Sequence, residues 1–174
     1  MAKTPPQPAI SEYRASIAMP HVTLRRLERA DAERLAAIVT PGLFALDDIM
    51  ADFDPVPWVE RKLAEEMLPI SHVVLRDGAV IGYVQVAAVK GLQYHYLAIG
   101  AWLARRHWGQ GNSDEGMAAV QQVATAQRWP ALYSRMHRLN HPAHRMVQRA
   151  GFQPWATPPD RPEPDFIWYR WIRP

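Results

Sequence analysis

The segment that most constrains this chain is Trp108-Gly109-Gln110-Gly111-Asn112-Ser113-Asp114-Glu115. It stands between an apolar strand pattern, Gln93 to Leu103, and a helical pattern with Met117, Val120, Val123 and Ala124 on one face. Another strand pattern, Ala131 to His137, follows that helix. Strand, helix and strand in this order need a parallel pair joined by a right-handed crossover. The glycines let the backbone turn tightly and come close to a ligand. The helix start offers unpaired N–H groups and the positive end of a dipole. The segment is therefore expected to hold a phosphorylated molecule. Asn112, with Glu115 three residues later, resembles a capping box.

Around this unit the chain reads as hairpins and amphipathic helices. Residues 1–20 carry Thr4-Pro5-Pro6-Gln7-Pro8 and are expected to form a flexible arm, with one domain over 21–174. Val22 to Leu27 reads as a strand. Asp31 is placed to cap a helix carrying Leu35, Ile38 and Val39. Residues 41–57 are irregular and acidic (Asp47, Asp48, Asp52, Asp54), and a helix is expected from Trp58 to Leu68 with Val59, Leu63 and Met67 on one face. Strands His72–Arg76 and Val80–Val89 flank the hairpin signal Asp77-Gly78, and Lys90-Gly91 turns into the strand from Gln93. Asn140 and Pro142 start a helix that Gly151 ends, and strands Phe152–Trp155 and Phe166–Ile172 close the chain.

Composition narrows the chemistry. The 174 residues include 48% hydrophobic and 21% charged residues, a globular balance. A net charge of +3 favours anionic partners such as nucleotides or phosphorylated cofactors. The cations are not gathered on one helix or stripe and no nucleic-acid motif occurs, so nucleic acid is disfavoured. There is no cysteine, which excludes disulfides, cysteine-bound zinc and a thiol nucleophile. No apolar run is long enough to span a bilayer, and no hydrophobic signal core follows the N-terminus; no membrane partner and a cytoplasmic location are expected. Trp168 and Trp171 suggest core or a homodimer surface.

Three blocks give the chain a family resemblance. Ile81-Gly82-Tyr83, then Ile99-Gly100-Ala101-Trp102-Leu103 with Trp108-Gly109-Gln110-Gly111 and Glu115, then Asn140 with Gly151-Phe152, resemble in order and spacing the GNAT superfamily of acyl-CoA-dependent N-acetyltransferases. The branch it most resembles is that of the ribosomal-protein N-terminal acetyltransferases. The resemblance implies an α/β (α+β) fold, a GNAT-like mixed, mostly antiparallel central sheet of six to seven strands flanked by about four helices. It implies acetyl-CoA as co-substrate, no metal, and an amine-bearing acceptor. It places cofactor contacts at Trp102, Leu103, Trp108, Gly109, Gln110, Gly111, Asn112, Ser113, Asn140 and Ala143, with the oxyanion held by a backbone N–H where the strand bulges near Trp102-Leu103. The chain also departs from the family. Asn112 replaces an apolar residue, Asp114 brings a negative charge to the loop, Ala143 stands where a serine is common, and Val147 where many members carry a tyrosine acid.

Acyl transfer from a thioester to an amine needs a gripped cofactor, a stabilised oxyanion, a deprotonated amine and a leaving thiolate. An alkylammonium with a pKa of about 10.4 is mostly protonated at neutral pH, so a base or a proton-conducting water chain is required. His95 and Tyr96 are the catalytic candidates for this step, and Ser134 and Tyr133 for the region of the leaving sulfur. Core packing explains Tyr133 equally. With no cysteine the simplest route is direct attack in a ternary complex. His137, His141 and His144 have suggestive spacing but no thiolate or carboxylate beside them, so no metal site is expected. Arg105, Arg106, Arg138 and Arg145 are either phosphate contacts or surface. The acidic stretch from Asp47 either draws in a cationic acceptor or is a solvated loop. The expected activity is acetyl transfer to a primary amine, on a protein N-terminus or a small cationic amine. The rival readings are a non-catalytic acyl-CoA-binding module and a basic nucleic-acid binder.

Overall fold

The computed structural model describes residues 16–40, 42–46, 53–65, 70–90, 95–156 and 163–174, with only the backbone described at 90, 95 and 96. The expectations for residues 1–15 and for Asp47, Asp48, Asp52, Met67, Leu68, Gly91 and Gln93 lie outside the described residues. Eight strands form one sheet: β1 Ile17–Ala18, β2 Thr23–Arg26, β3 Ile70–Arg76, β4 Ala79–Lys90, β5 His95–Leu103, β6 Ala131–His137, β7 Gln153–Trp155 and β8 Phe166–Ile172. Their order is β1-β2-β3-β4-β5-β6-β8-β7, and every neighbouring pair is antiparallel except β5 with β6. The strand beyond the expected count is β1, which pairs with β2 inside the segment read as an arm.

Four helices accompany the sheet: α1 Asp31–Ile38, α2 Pro55–Ala64, α3 Asn112–Ala126 and α4 His141–Arg149. α2 starts three residues before the expected Trp58, because Asp54 caps it by accepting from the Val56 amide (3.2 Å) and Pro55 fits the first turn. Asp31 is not the cap of α1 but its first residue. It is fully buried, where Arg25 (2.7 Å) and Arg34 (2.9 Å) reach it. Burial works to raise this carboxyl's pKa. Hydrogen bonds from Arg25, the Glu28 amide and Arg34 outweigh that and hold it below the ordinary carboxylate value.

Apolar side chains cover both faces of the sheet. One cluster joins Val84, Val86, Ile99, Leu132 and Tyr169 to Met117, Val120 and Val123 of α3 and Val147 of α4. The other joins Val73, Val80 and Tyr83 to Leu35 and Ile38 of α1 and Trp58 and Val59 of α2. The Asp77-Gly78 hairpin forms as expected, both residues having positive φ (50° and 78°), as a two-residue turn between twisted strands requires.

Candidate functional site

The one parallel pair has only two Cα partners, Ala98 with Tyr133 and Ile99 with Ser134. β5 continues to Leu103 and β6 to His137. The two strands therefore separate towards their carboxyl ends and leave a wedge between them. Both α3 and α4 begin just after these carboxyl ends, the place where open α/β sheets hold ligands.

Strand alternation decides which backbone groups face the wedge. Ala104 donates its N–H to the carbonyl of Ile81 (2.9 Å), so Ala104 and Trp102 turn their amides towards β4. Ile99, Ala101 and Leu103 then turn theirs towards β6. Two contacts agree: the Leu103 carbonyl accepts from the Trp108 indole N–H (2.8 Å), and the Ile99 carbonyl from the Ser134 hydroxyl (3.4 Å). Among the described residues no strand pairs with this edge beyond Ile99, and the N–H groups of Ala101 and Leu103 open into the wedge. Of the expected pair Trp102-Leu103, Leu103 thus has the amide facing it. The expected bulge is not in this strand. The β4–β5 register runs unbroken from Lys90–His95 to Gly82–Leu103, and the sheet's register shift lies between β3 and β4, where Val74 pairs with Gly82 and Leu75 with Val80 and Ile81 of β4 is the extra residue.

Gly82 keeps β5 in place. A Cβ there would stand 2.2 Å from the Trp102 carbonyl and 2.6 Å from Leu103 Cδ2, so only glycine lets the two strands approach at this point. The Trp102 side chain lies on the opposite face from α3, edge-on to Phe44 (5.3 Å) and Phe53 (5.9 Å). Its indole nitrogen is enclosed without a partner.

The glycine segment leaves the wedge as a short 3-10 turn, Arg105–His107, followed by Gly109 and Gly111 at φ 70° and 79°. Only glycine takes that backbone readily, and a Cβ at either position would meet nothing within 4 Å. Gly111 is the N-cap of α3, and no side chain caps the helix. The first intrahelical bond of the turn runs from the Glu115 amide to the Gly111 carbonyl (3.1 Å), which leaves the amides of Asn112, Ser113 and Asp114 without intrahelical acceptors. The expected capping box is absent. Asn112 sits inside the helix, 1% exposed, and Glu115 accepts instead from the backbone amides of His21 (2.9 Å) and Val22 (3.1 Å). Asp114 is paired with Arg149 of α4 (2.9 Å), so its charge is compensated. Burial, then Arg106 and Arg76, hold the His107 pKa below its ordinary value, which marks the loop as electropositive.

The other candidates divide. Ser134 is buried at the apex of the wedge. Asn140 caps α4 by accepting from the Ala143 amide (3.3 Å), and Ala143 packs on the core. Tyr133 stacks edge-on to Trp155 (4.8 Å). His95 and Tyr96 begin β5, and strand rise puts their backbones about 26 and 23 Å from that of Leu103. Arg105 donates to the Gly42 carbonyl (2.7 Å), and Arg138 pairs with Asp165 (3.2 Å). No cluster of metal-ligating side chains occurs among the described residues. His144 instead bonds the Tyr169 hydroxyl (3.0 Å) and the His137 carbonyl (3.1 Å). Sequence reasoning missed Tyr169, the register partner of Ser134, and Arg76, which reaches the loop from β3. Neither carries a local signal, because each acts across a long sequence separation.

The donors present suit a diphosphate: uncapped helix amides, an open glycine turn and a cationic neighbourhood. The profile of the family described as "Acetyltransferase (GNAT) domain" matches residues 21–153. No curated protein sequence matches the chain. Among solved structures, a GNAT-family acetyltransferase from Bacillus anthracis is 15% identical at a TM-score of 0.73, covering 91% of this chain and 99% of that one. RimL, a ribosomal L7/L12 alpha-N-protein acetyltransferase solved with coenzyme A, is 14% identical at 0.73, covering 91% and 98%. The Microcin C7 self-immunity acetyltransferase MccE, solved with acetyl-CoA and AMP, is 14% identical at 0.71, covering 88% and 93%.

Proposed function

The chain belongs to the GNAT acetyltransferase family, and on that premise we propose that it moves an acetyl group from acetyl-CoA to a primary amine by direct attack in a ternary complex. The observation that carries this reading is the wedge after Ile99–Ser134, with the Ala101 and Leu103 amides open to it and the uncapped start of α3 beside it. Acetyl-CoA supplies an acetyl group activated as a thioester. RimL and MccE, solved with coenzyme A and acetyl-CoA, support the choice of donor.

In this reading the amides of Gly109, Gly111, Asn112 and Ser113 hold the diphosphate, and Asn140 and Ala143 flank the pantetheine arm at the start of α4. The Leu103 N–H points at the thioester oxygen; a donor so placed contributes about 3 kcal/mol to the transition state. As the amine nitrogen forms its bond to the acetyl carbon, the carbon–sulfur bond breaks and releases coenzyme A as its thiolate, and the proton lost by the amine neutralises that thiolate through solvent. His144 has both ring nitrogens engaged, by the Tyr169 hydroxyl and the His137 carbonyl, and His95 and Tyr96 stand at the opposite end of β5. Water therefore carries the proton out, and His95 and Tyr96, at the far end of β5, act at most through such a chain. The acceptor is a protein or peptide N-terminus or a small cationic amine, as for RimL on a ribosomal protein.

The test measures thiol release from acetyl-CoA across a panel of peptides and amines, together with thermal stability in acetyl-CoA, CoA, ATP and NAD. Acetyl-CoA at 100 times its dissociation constant should stabilise the protein by about 2.7 kcal/mol. Binding with no turnover on any acceptor would leave a coenzyme-binding module, the reading that the buried Val147 in the place of a tyrosine favours. No stabilisation by either coenzyme would end both.

A further inference from the structure

The polar side chains that crowd the start of α3 are turned away from it. Asp114 is engaged by Arg149, and Glu115 by the turn that precedes β2. Gln110 and Asn112, one on each side of Gly111, are both held by Arg76, the last residue of β3. Its Nη1 donates to the Gln110 side-chain oxygen (3.1 Å) and to that of Asn112 (2.7 Å). The other end of each amide is also fixed: Gln110 Nε2 donates to the Arg106 carbonyl (2.8 Å) and Asn112 Nδ2 to the His107 carbonyl (2.9 Å).

This arrangement has a chemical consequence. The N-cap of α3 is Gly111, which has no side chain, so the amide oxygens of Gln110 and Asn112, one residue to either side, are the nearest side-chain acceptors in sequence for its free N–H groups. Two such oxygens stand beside the start of α3, yet no side chain caps it. A bonded guanidinium holds an amide oxygen more firmly than a neutral donor does. Asn112 is also buried, so its amide must keep partners at both ends or lose the cost of desolvation.

We propose that Arg76 is a positioning residue for coenzyme binding: it holds the Gln110 and Asn112 oxygens back and so keeps the α3 amides open to a diphosphate. This rests on the acetyl-CoA reading above. Without Arg76, the freed oxygens compete for the same donors and the diphosphate must displace them.

The test uses the whole chain with acetyl-CoA and with S-acetylpantetheine, a thioester that lacks the diphosphate. In Arg76→Met the dissociation constant for acetyl-CoA should rise about tenfold, while that for S-acetylpantetheine and the kcat at saturating acetyl-CoA stay within twofold. In a Gln110→Ala/Asn112→Val background, removing Arg76 should cost less than threefold. If that background does not fold, Gln110→Ala alone should shrink the penalty at least twofold. Equal weakening of both thioesters would mean general loosening and overturn the proposal. So would an unchanged acetyl-CoA affinity, or a full tenfold loss that persists in the altered background, which is what direct contact of the guanidinium with phosphate predicts. Wild-type protein that binds neither thioester refutes the acetyl-CoA reading itself, a result distinct from all of these.

Discussion

Trp108 joins the glycine segment to β5 through one bond, from its indole N–H to the Leu103 carbonyl. The ring is about half exposed and carries Arg105 over one face (5.6 Å), so its burial adds little and the bond is its main structural task. Trp108→Phe keeps the ring and removes the donor. A neutral hydrogen bond is worth about 1 kcal/mol of stability, so the unfolding free energy should fall by about that much, and kcat/KM should fall with it because the glycine segment is no longer tied to β5. Unaltered kcat/KM in that variant would detach Trp108 from the site. At this scale the sequence found the glycine turn and the helix start but gave the wrong roles to two side chains there. Asn112 reads as a cap and is a buried cross-link to β3. Glu115 reads as its partner and instead ties down the turn before β2. Both residues are suited to capping, and their choice of partner depends on chain 36 and 94 positions away.

At the scale of elements, the wedge depends on how β4 and β5 meet. Gly82 is the point where a side chain is forbidden, because its Cβ would strike the Trp102 carbonyl and Leu103. Gly82→Ala should push the end of β5 outward, costing about 2 kcal/mol in urea unfolding, the usual range for overpacking. It should also lower kcat by at least tenfold in the folded protein, since the Leu103 amide shifts with the strand. A variant that loses stability yet keeps kcat would show that this amide is not the oxyanion donor. The strands, the hairpin at Asp77-Gly78 and the cap of α4 at Asn140 were readable because each is a local pattern. The start of α2 is harder to read because its cap and first-turn signal, Asp54 and Pro55, lies at the end of an irregular acidic stretch. The strand β1 was missed because two residues cannot show an alternation.

For the whole molecule, the sheet carries a titratable group that neither face needs for catalysis. His72 is buried in β3, accepts the Ser71 amide through Nδ1 (3.1 Å), and keeps an enclosed Nε2 without a partner. Burial, followed by Arg26 and Arg25, pushes its pKa down to about 4. The unfolded chain takes up a proton near pH 6.5 and the folded one only near pH 4. Between those values the unfolded state binds more protons, so stability is full above pH 6.5 and declines by about 3 kcal/mol as the pH falls to 4. His72→Gln should flatten that slope between pH 6.5 and 4.5 in chemical denaturation; parallel slopes for variant and parent would refute the assignment.

The amino-acid order alone determined the turn at Gly109–Gly111, the strand–helix–strand unit around it and hence the parallel pair, because backbone preference and hydrophobic period act within a few residues. It also carried the family, confirmed by the match over residues 21–153. Only the tertiary structure decided that β5 and β6 part after Ile99, that the Leu103 amide faces the opening, and that Arg76 bonds the Gln110 and Asn112 side-chain oxygens beside the helix start. Those features arise from strands packed against partners far away in sequence, where side-chain volume and hydrogen-bond geometry select one arrangement among several that the local pattern allows.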